Sequence, residues 1–180
     1  MMEKANKRGL IFVYTGSGKG KTTAALGMAL RGVGHDFRIL MIQFIKGSWK
    51  YGELEAAKRL HPYLEIIPMG RGFIHFNKEG ATPEDIKAVV EAWGFFKKKM
   101  KSNEYDMIIL DEINNVISYD LLMIEDVLEV LRNKPDGLHI ALTGRGAPPE
   151  IIEIADLVTE MKEIKHPFQR GIKGRKGVEF

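Results

Sequence analysis

An apolar run, Leu10-Ile11-Phe12-Val13-Tyr14, leads straight into Thr15-Gly16-Ser17-Gly18-Lys19-Gly20-Lys21-Thr22-Thr23, and a helix-like stretch begins at Ala24. Strand, glycine loop, Lys-Thr and helix, in that order, make a phosphate-binding loop. Glycines let consecutive backbone N–H groups converge on an anion with no Cβ in the way. The helix N-terminus adds unpaired donors and the positive end of its dipole. Lys21 is placed to hold a phosphate oxygen, and Thr22 to offer its hydroxyl to Mg²⁺. A nucleoside triphosphate is therefore the expected ligand, with Thr15, Gly16, Ser17, Gly18, Lys19, Gly20, Lys21, Thr22 and Thr23 around it. The usual pattern has glycine five residues before Gly20, where this chain has Thr15. A glycine turn without a ligand is the bland alternative, and the strand before and helix after the loop argue against it.

The chain has 180 residues, enough for one domain with a sizeable core. Its apolar fraction of 44% is that of a globular protein. No apolar stretch approaches a membrane span, and residues 1–8 are charged and lack the apolar centre of a signal peptide. Cysteine is absent, which removes disulfides, thiolate metal sites and a cysteine nucleophile. A cytoplasmic protein is expected. The net charge is only +3. Lys97-Lys98-Lys99 with Lys101 is read as a solvated helix face in preference to a nucleic-acid patch. Neither a nucleic acid nor a membrane is expected as a partner. Residues 165–180 form a basic, glycine-containing tail, either a flexible end or a flap over an anionic ligand.

Apolar runs at 10–14, 38–44, 64–68, 107–111, 138–143 and 157–161 read as strands. Segments 22–33, 52–60, 82–102, 124–132 and 149–155 read as helices. The long helix has a clear start, with Thr82 as N-cap, Pro83 at the first position and Glu84 and Asp85 in the first turn. Several strands lack polar alternation, as when both faces are covered. The alternation predicts an α/β fold, a mainly parallel sheet with helices on both faces, of the phosphate-loop NTPase, RecA-like kind. Ligands of such sheets sit at the carboxyl ends of the strands. No repeat or linker divides the chain, so residues 1–180 read as one domain.

Met107-Ile108-Ile109-Leu110 is an apolar strand ending in Asp111 and Glu112. In phosphate-loop proteins a second strand brings a carboxylate toward Mg²⁺. Both acids are candidates; in one reading Asp111 instead caps the following short helix and Glu112 serves the metal. Arg145, in Thr143-Gly144-Arg145-Gly146, is placed to grip a phosphate with its forked guanidinium, the alternative being a surface arginine in a tight turn. In Gln43-Phe44-Ile45-Lys46-Gly47-Ser48-Trp49, Lys46 is a candidate for the triphosphate and Trp49 for stacking on a flat ligand, or both simply anchor the loop. Met69-Gly70-Arg71-Gly72-Phe73-Ile74-His75-Phe76 is either a plug for the core or a lid over an apolar substrate. His75 has no second histidine or acid at metal-site spacing, so a zinc site is not expected. No nucleophile elbow or His-Asp-Ser grouping is legible. The chemistry should rest on a bound triphosphate and a metal.

Taken together, these residues resemble the ATP:corrinoid adenosyltransferases of the CobA type. The resemblance rests on the phosphate loop, Ala29-Leu30-Arg31-Gly32-Val33-Gly34-His35, the 43–49 segment with Gly52-Glu53, Leu110-Asp111-Glu112, Thr143-Gly144-Arg145-Gly146 and Lys165-His166-Pro167-Phe168. It covers nearly all of residues 9–180, and a loop with Thr in place of the first glycine is typical of the family.

The resemblance implies that Co(I) of a corrinoid attacks the 5′-carbon of ATP and that the whole triphosphate leaves, with ATP turned around in the loop. It implies Mg²⁺ on Thr22 and Glu112, with Asp111, and phosphate contacts from Lys21, Lys46 and Arg145. It implies corrinoid contacts from Trp49, Phe73 and His75, with Phe73 on a loop that pushes the lower axial ligand from Co(II) before reduction. Position 75 is tryptophan in a familiar bacterial relative; His75 is smaller and is expected to act as a wedge or hydrogen-bonding group, with Phe76 able to supply bulk. Ser17 stands where that relative has asparagine. Residues 1–8 are too short for the N-terminal helix that caps the site in relatives. A homodimer and a reducing partner such as a flavoprotein are also implied. Two other functions compete: a phosphate-loop ATPase or switch acting on a protein or nucleic acid, and a corrinoid carrier that turns over rarely.

Overall fold

The computed structural model describes residues 8–47, 51–72 and 81–178. Its elements are β1 (Ile11–Thr15), α1 (Lys21–Val33), β2 (Ile39–Gln43), α2 (Gly52–Arg59), β3 (Leu64–Pro68), α3 (Pro83–Met100), β4 (Met107–Asp111), α4 (Ile113–Ser118), α5 (Ile124–Arg132), β5 (His139–Thr143), α6 (Pro149–Ile154) and β6 (Leu157–Glu160), then a 3₁₀ turn at Pro167–Arg170. The strands form one sheet in the order β3-β2-β4-β5-β1-β6, and every pair is parallel. This is the α/β phosphate-loop fold expected from the alternation of apolar runs and helices.

The two-residue period of the strands divides the core into two layers. Ile39 and Met41 of β2 and Ile109 of β4 pack with Ala25 and Ala29 of α1 and Ala57 of α2. Leu40, Ile42, Ile108 and Leu110 point the other way, into Val89, Trp93 and Phe96 of α3 and Val127 and Leu131 of α5. Because helices cover both faces, β2 and β4 are buried along their whole length, which is why neither shows polar alternation. The alanines of α1 let that helix lie close on the sheet, which brings its N-terminus to the carboxyl end of β1.

Local signals set most boundaries. Thr82 Oγ1 accepts from Asp85 N at 3.2 Å, and the Asp85 carboxylate accepts from Thr82 N at 3.1 Å, a reciprocal cap at the start of α3. Lys97, Lys98 and Lys99 fall in the last turn of α3, where the helix dipole favours cations. Lys97 and Lys98 are exposed and Lys99 pairs with Glu104 at 3.0 Å, as in a solvated helix face. The helix stops two residues before the expected end, because Ser102 Oγ folds back to donate to Lys99 O. The short α4, Ile-Asn-Asn-Val-Ile-Ser, has poor helix formers. It is held by tertiary burial, with Ile113, Val116 and Ile117 all in the core.

Candidate active site at the phosphate loop

Four strands end in a buried polar residue at the same edge of the sheet: Thr15 on β1, Gln43 on β2, Asp111 on β4 and Thr143 on β5. The register sets Gln43 beside Asp111 and Tyr14 beside Thr143, so the row is continuous under the loop. Burying such groups is tolerated only when they are paired. Thr22 Oγ1 and Thr143 Oγ1 both donate to Asp111 Oδ1, at 2.8 and 2.7 Å, while Gln43 Nε2 donates to Asp111 Oδ2 at 3.3 Å. Thr143 Oγ1 in turn accepts from Glu112 N at 2.9 Å.

The glycine loop closes over this row. Thr15 is still part of the strand, with its hydroxyl accepting from Ala147 N at 3.1 Å, so no glycine is required there. Gly16 has φ 98°, and a Cβ on it would come within 2.5 Å of Met161 O. That accounts for the displaced glycine pattern: the chain turns one residue later. The first turn of α1 leaves the amides of Lys21, Thr22 and Thr23 without intrahelical acceptors, aimed at the loop's concavity. Lys21 Nζ donates to Gly16 O at 2.9 Å and Gly18 O at 2.6 Å, and so braces the loop. Burial lowers the Lys21 pKa; Glu112 opposes this and Arg145 adds to it. Lys19 Nζ donates to Val178 O at 3.1 Å, so the basic tail reaches the loop.

Asp111 does not cap α4. That position belongs to Glu112, which adopts a left-handed backbone with φ 67°. Such a conformation costs on the order of 1–3 kcal/mol in a non-glycine residue and persists only where its surroundings enforce it. Here the amide is held by Thr143, and the side chain lines the clefts beside the loop. Burial raises the Glu112 pKa and neighbouring Asp111 raises it further, against Lys21, Lys46 and Arg145.

Two clefts flank the loop. One, of about 440 Å³, is lined by Lys19, Lys21, Thr22, Lys46, Glu53 and Glu112, with Gly177 and Val178 of the tail at its rim. The other, of about 390 Å³, is lined by Ser17, Lys21, Glu112, Arg145, His166 and Phe168. Lys46 reaches the first cleft already paired, at 3.0 Å from Glu53 Oε1 and 3.4 Å from Asp111 Oδ2. Burial alone would lower its pKa, but Asp111 and Glu53 outweigh that and hold it above the ordinary lysine value. Arg145 is exposed at the second cleft, its amide fixed by Asn115 Oδ1 at 2.8 Å. A Cβ on Gly144 would come within 2.5 Å of that same Oδ1, so glycine lets the β5–α6 loop lie against α4.

The structure thus brings together the loop residues, Lys46, Asp111, Glu112 and Arg145. Trp49, Phe73 and His75, and Phe76 beside them, lie outside the described residues. Sequence reasoning gave no role to Gln43, Glu53, Thr143 or Asn115. The first and third were marked by a polar residue closing an otherwise apolar strand. Glu53 and Asn115 carry no local signal of that kind.

A Mg²⁺ ion fits the oxygen donors at this cleft: the Thr22 hydroxyl, Glu112 and Glu53 line it, Asp111 is buried behind Thr22, and the Lys46 ammonium lies among them.

A parallel sheet that ends in a glycine loop, a braced lysine and a Thr–Asp pair beneath them defines a phosphate-loop α/β protein. Solved structures share the fold: flagellar accessory protein FlaH from Methanocaldococcus jannaschii has a TM-score of 0.53 at 16% identity, covering 86% of this chain and 71% of that one. A KaiC-like protein from Pyrococcus horikoshii has a TM-score of 0.52 at 16% identity, covering 88% and 75%. The family model for ATP:corrinoid adenosyltransferase BtuR/CobO/CobP matches residues 7–180. A corrinoid adenosyltransferase of a Sinorhizobium species is 41% identical over 182 residues, all of this chain and 84% of the relative. Its Escherichia coli K12 counterpart is 37% identical over 97% of this chain and 87% of the relative. The chain belongs to the ATP:corrinoid adenosyltransferase BtuR/CobO/CobP family and is a transferase.

Proposed function

We propose that this protein transfers the 5′-deoxyadenosyl group of ATP to the Co(I) of a corrinoid and releases inorganic triphosphate. The observation that carries this reading is the pair of clefts on the two flanks of one phosphate loop, with Lys21 and Glu112 in the walls of both. A nucleotide gripped by its triphosphate can then expose its sugar on one flank to a second substrate.

The Co(I) electron pair forms the cobalt–carbon bond at C5′, and the C5′–O bond breaks with its electrons leaving on the triphosphate. Co(I) is itself the nucleophile, so no protein base is required, and no histidine–serine pair is needed. The protein's contribution is alignment and charge stabilisation of the leaving polyphosphate. The loop amides and Lys21 receive that charge, and Arg145 adds a forked donor from the second flank. Mg²⁺ held by Thr22, Asp111 and Glu112 would neutralise part of the polyphosphate charge. Trp49, Phe73 and His75 are assigned to the corrinoid by resemblance, Phe73 as the group that displaces the lower axial ligand. A reductant such as a flavoprotein supplies the electrons for Co(I). A cytoplasmic homodimer completes the reading.

The test is anaerobic incubation with ATP, Mg²⁺ and chemically reduced cobalamin. The visible spectrum reports a cobalt–carbon bond, and phosphate analysis identifies the leaving group. Inorganic triphosphate is expected; ADP and phosphate would point to an ATPase instead. Lys21→Ala should lose ATP binding and adenosylation together, by about a hundredfold or more. Adenosylation that persisted with normal ATP affinity would remove the loop from the reaction.

A further inference from the structure

Lys46 was expected to face a polyphosphate, yet it lies between two carboxylates. Its ammonium is 3.0 Å from Glu53 Oε1 and 3.4 Å from Asp111 Oδ2, with Glu53 and Asp111 further linked through Gln43 Nε2 at 3.5 and 3.3 Å. The Asp111 side chain is 0% exposed and those of Glu53 and Lys46 are 15% and 21% exposed, so solvent screens these charges weakly. Asp111 Oδ1 is spent on Thr22 and Thr143, which leaves Oδ2 as the oxygen that carries Lys46.

We propose that Lys46 is an exchangeable counter-ion that competes with the divalent cation for the Asp111–Glu53 carboxylates, so that the metal enters the site only together with a polyphosphate. This rests on the reading that Thr22, Asp111 and Glu112 hold Mg²⁺.

The charge balance supplies the reason. Lys19, Lys21 and Lys46 in the first cleft face Glu53 and Glu112, with Asp111 directly behind, three cations against three anions. A dication added alone meets an ammonium already seated on the carboxylate that its threonine ligand touches. Two cations within hydrogen-bond reach of one buried carboxylate repel strongly. A triphosphate reverses the sign: it brings more negative charge than the cation neutralises and offers Lys46 oxygens of its own. Lys46 has a short path to take, because its ammonium already stands 5.1 Å from the centre of the Tyr51 ring, a face that can carry it during the exchange. The consequence is a binding order. Free metal is excluded, and the metal–nucleotide complex is admitted as a unit.

Mn²⁺ titration followed by electron paramagnetic resonance tests this on the full chain, with wild type, Lys46→Gln, Lys46→Arg and Thr22→Val, each with and without ATP. Wild type and Lys46→Arg should take up Mn²⁺ only when ATP is present. Lys46→Gln should bind Mn²⁺ without nucleotide at least about tenfold more tightly than wild type, since a like charge has been removed next to the site. A folded Lys46→Gln protein, by circular dichroism, with no gain in Mn²⁺ affinity overturns the proposal. So does wild-type protein that binds Mn²⁺ as tightly without ATP as with it, and that arm decides alone if the glutamine variant does not fold. Thr22→Val separates the two levels: if it takes up Mn²⁺·ATP as well as wild type does, the metal-site reading itself fails, whatever Lys46 does.

Discussion

Thr143 shows how much one hydroxyl does here. It donates to Asp111 Oδ1 and accepts from Glu112 N, so it fixes both acids at once, and its side chain is fully buried. Valine has nearly the same shape and neither function. Thr143→Val should cost about 1–3 kcal/mol of stability, because the Glu112 amide is left without an acceptor in the interior. Thr143→Ser should recover most of it. Urea denaturation of the three proteins measures this, and a valine variant as stable as wild type would show that the bond contributes nothing. The residue was legible only in hindsight. A threonine closing an apolar strand is common, and only its alignment with Thr15, Gln43 and Asp111 makes a row. Glu53 was less legible still, since nothing in Gly52-Glu53-Leu54 announces that its carboxylate meets Lys46.

At the scale of elements, the seam between β1 and β5 carries a titratable group. His139 begins β5, and its Nδ1 accepts from Leu10 N at 3.1 Å, while its ring stacks with Phe37 at 6.1 Å between centroids. Burial lowers its pKa, Lys134 lowers it further, and Asp106 opposes both. The sign follows from proton counting. Below the ordinary imidazole value of about 6.5 the unfolded chain binds a proton that the folded chain resists. The seam is therefore fully stable above that pH and loses stability as pH falls through the depressed folded value. His139→Gln should flatten the fall in Tm as pH drops below about 6.5, since glutamine does not titrate. An unchanged slope in thermal melts would assign the loss to other groups. The strands themselves were visible as apolar runs, and α3 through its cap, because those signals are local. The short α4 was not bounded, because its helix is imposed by the core that Ile113, Val116 and Ile117 enter.

For the whole molecule, the site lies where β1, β2, β4 and β5 end together, so a ligand there bridges segments far apart in sequence. Ligand binding should stabilise the fold globally. MgATP at about 100 times its Kd adds about 2.7 kcal/mol. For a chain of this size that corresponds to a rise in Tm of about 5–10 °C, read by differential scanning fluorimetry. The same MgATP concentration should leave the Tm of Lys21→Ala unmoved, and an equal shift in that variant would place the nucleotide elsewhere. Sequence by itself determined the fold class, the phosphate loop and the family, because a glycine loop between strand and helix and the apolar period of the strands are encoded within a few residues. Tertiary structure alone decided which polar groups meet. The Thr22–Asp111–Thr143 cluster, the Thr143 bond that holds the left-handed turn at Glu112 and the approach of Lys46 to Asp111 depend on how parallel strands are ordered, and that order brings into contact residues whose separation along the chain carries no local signal.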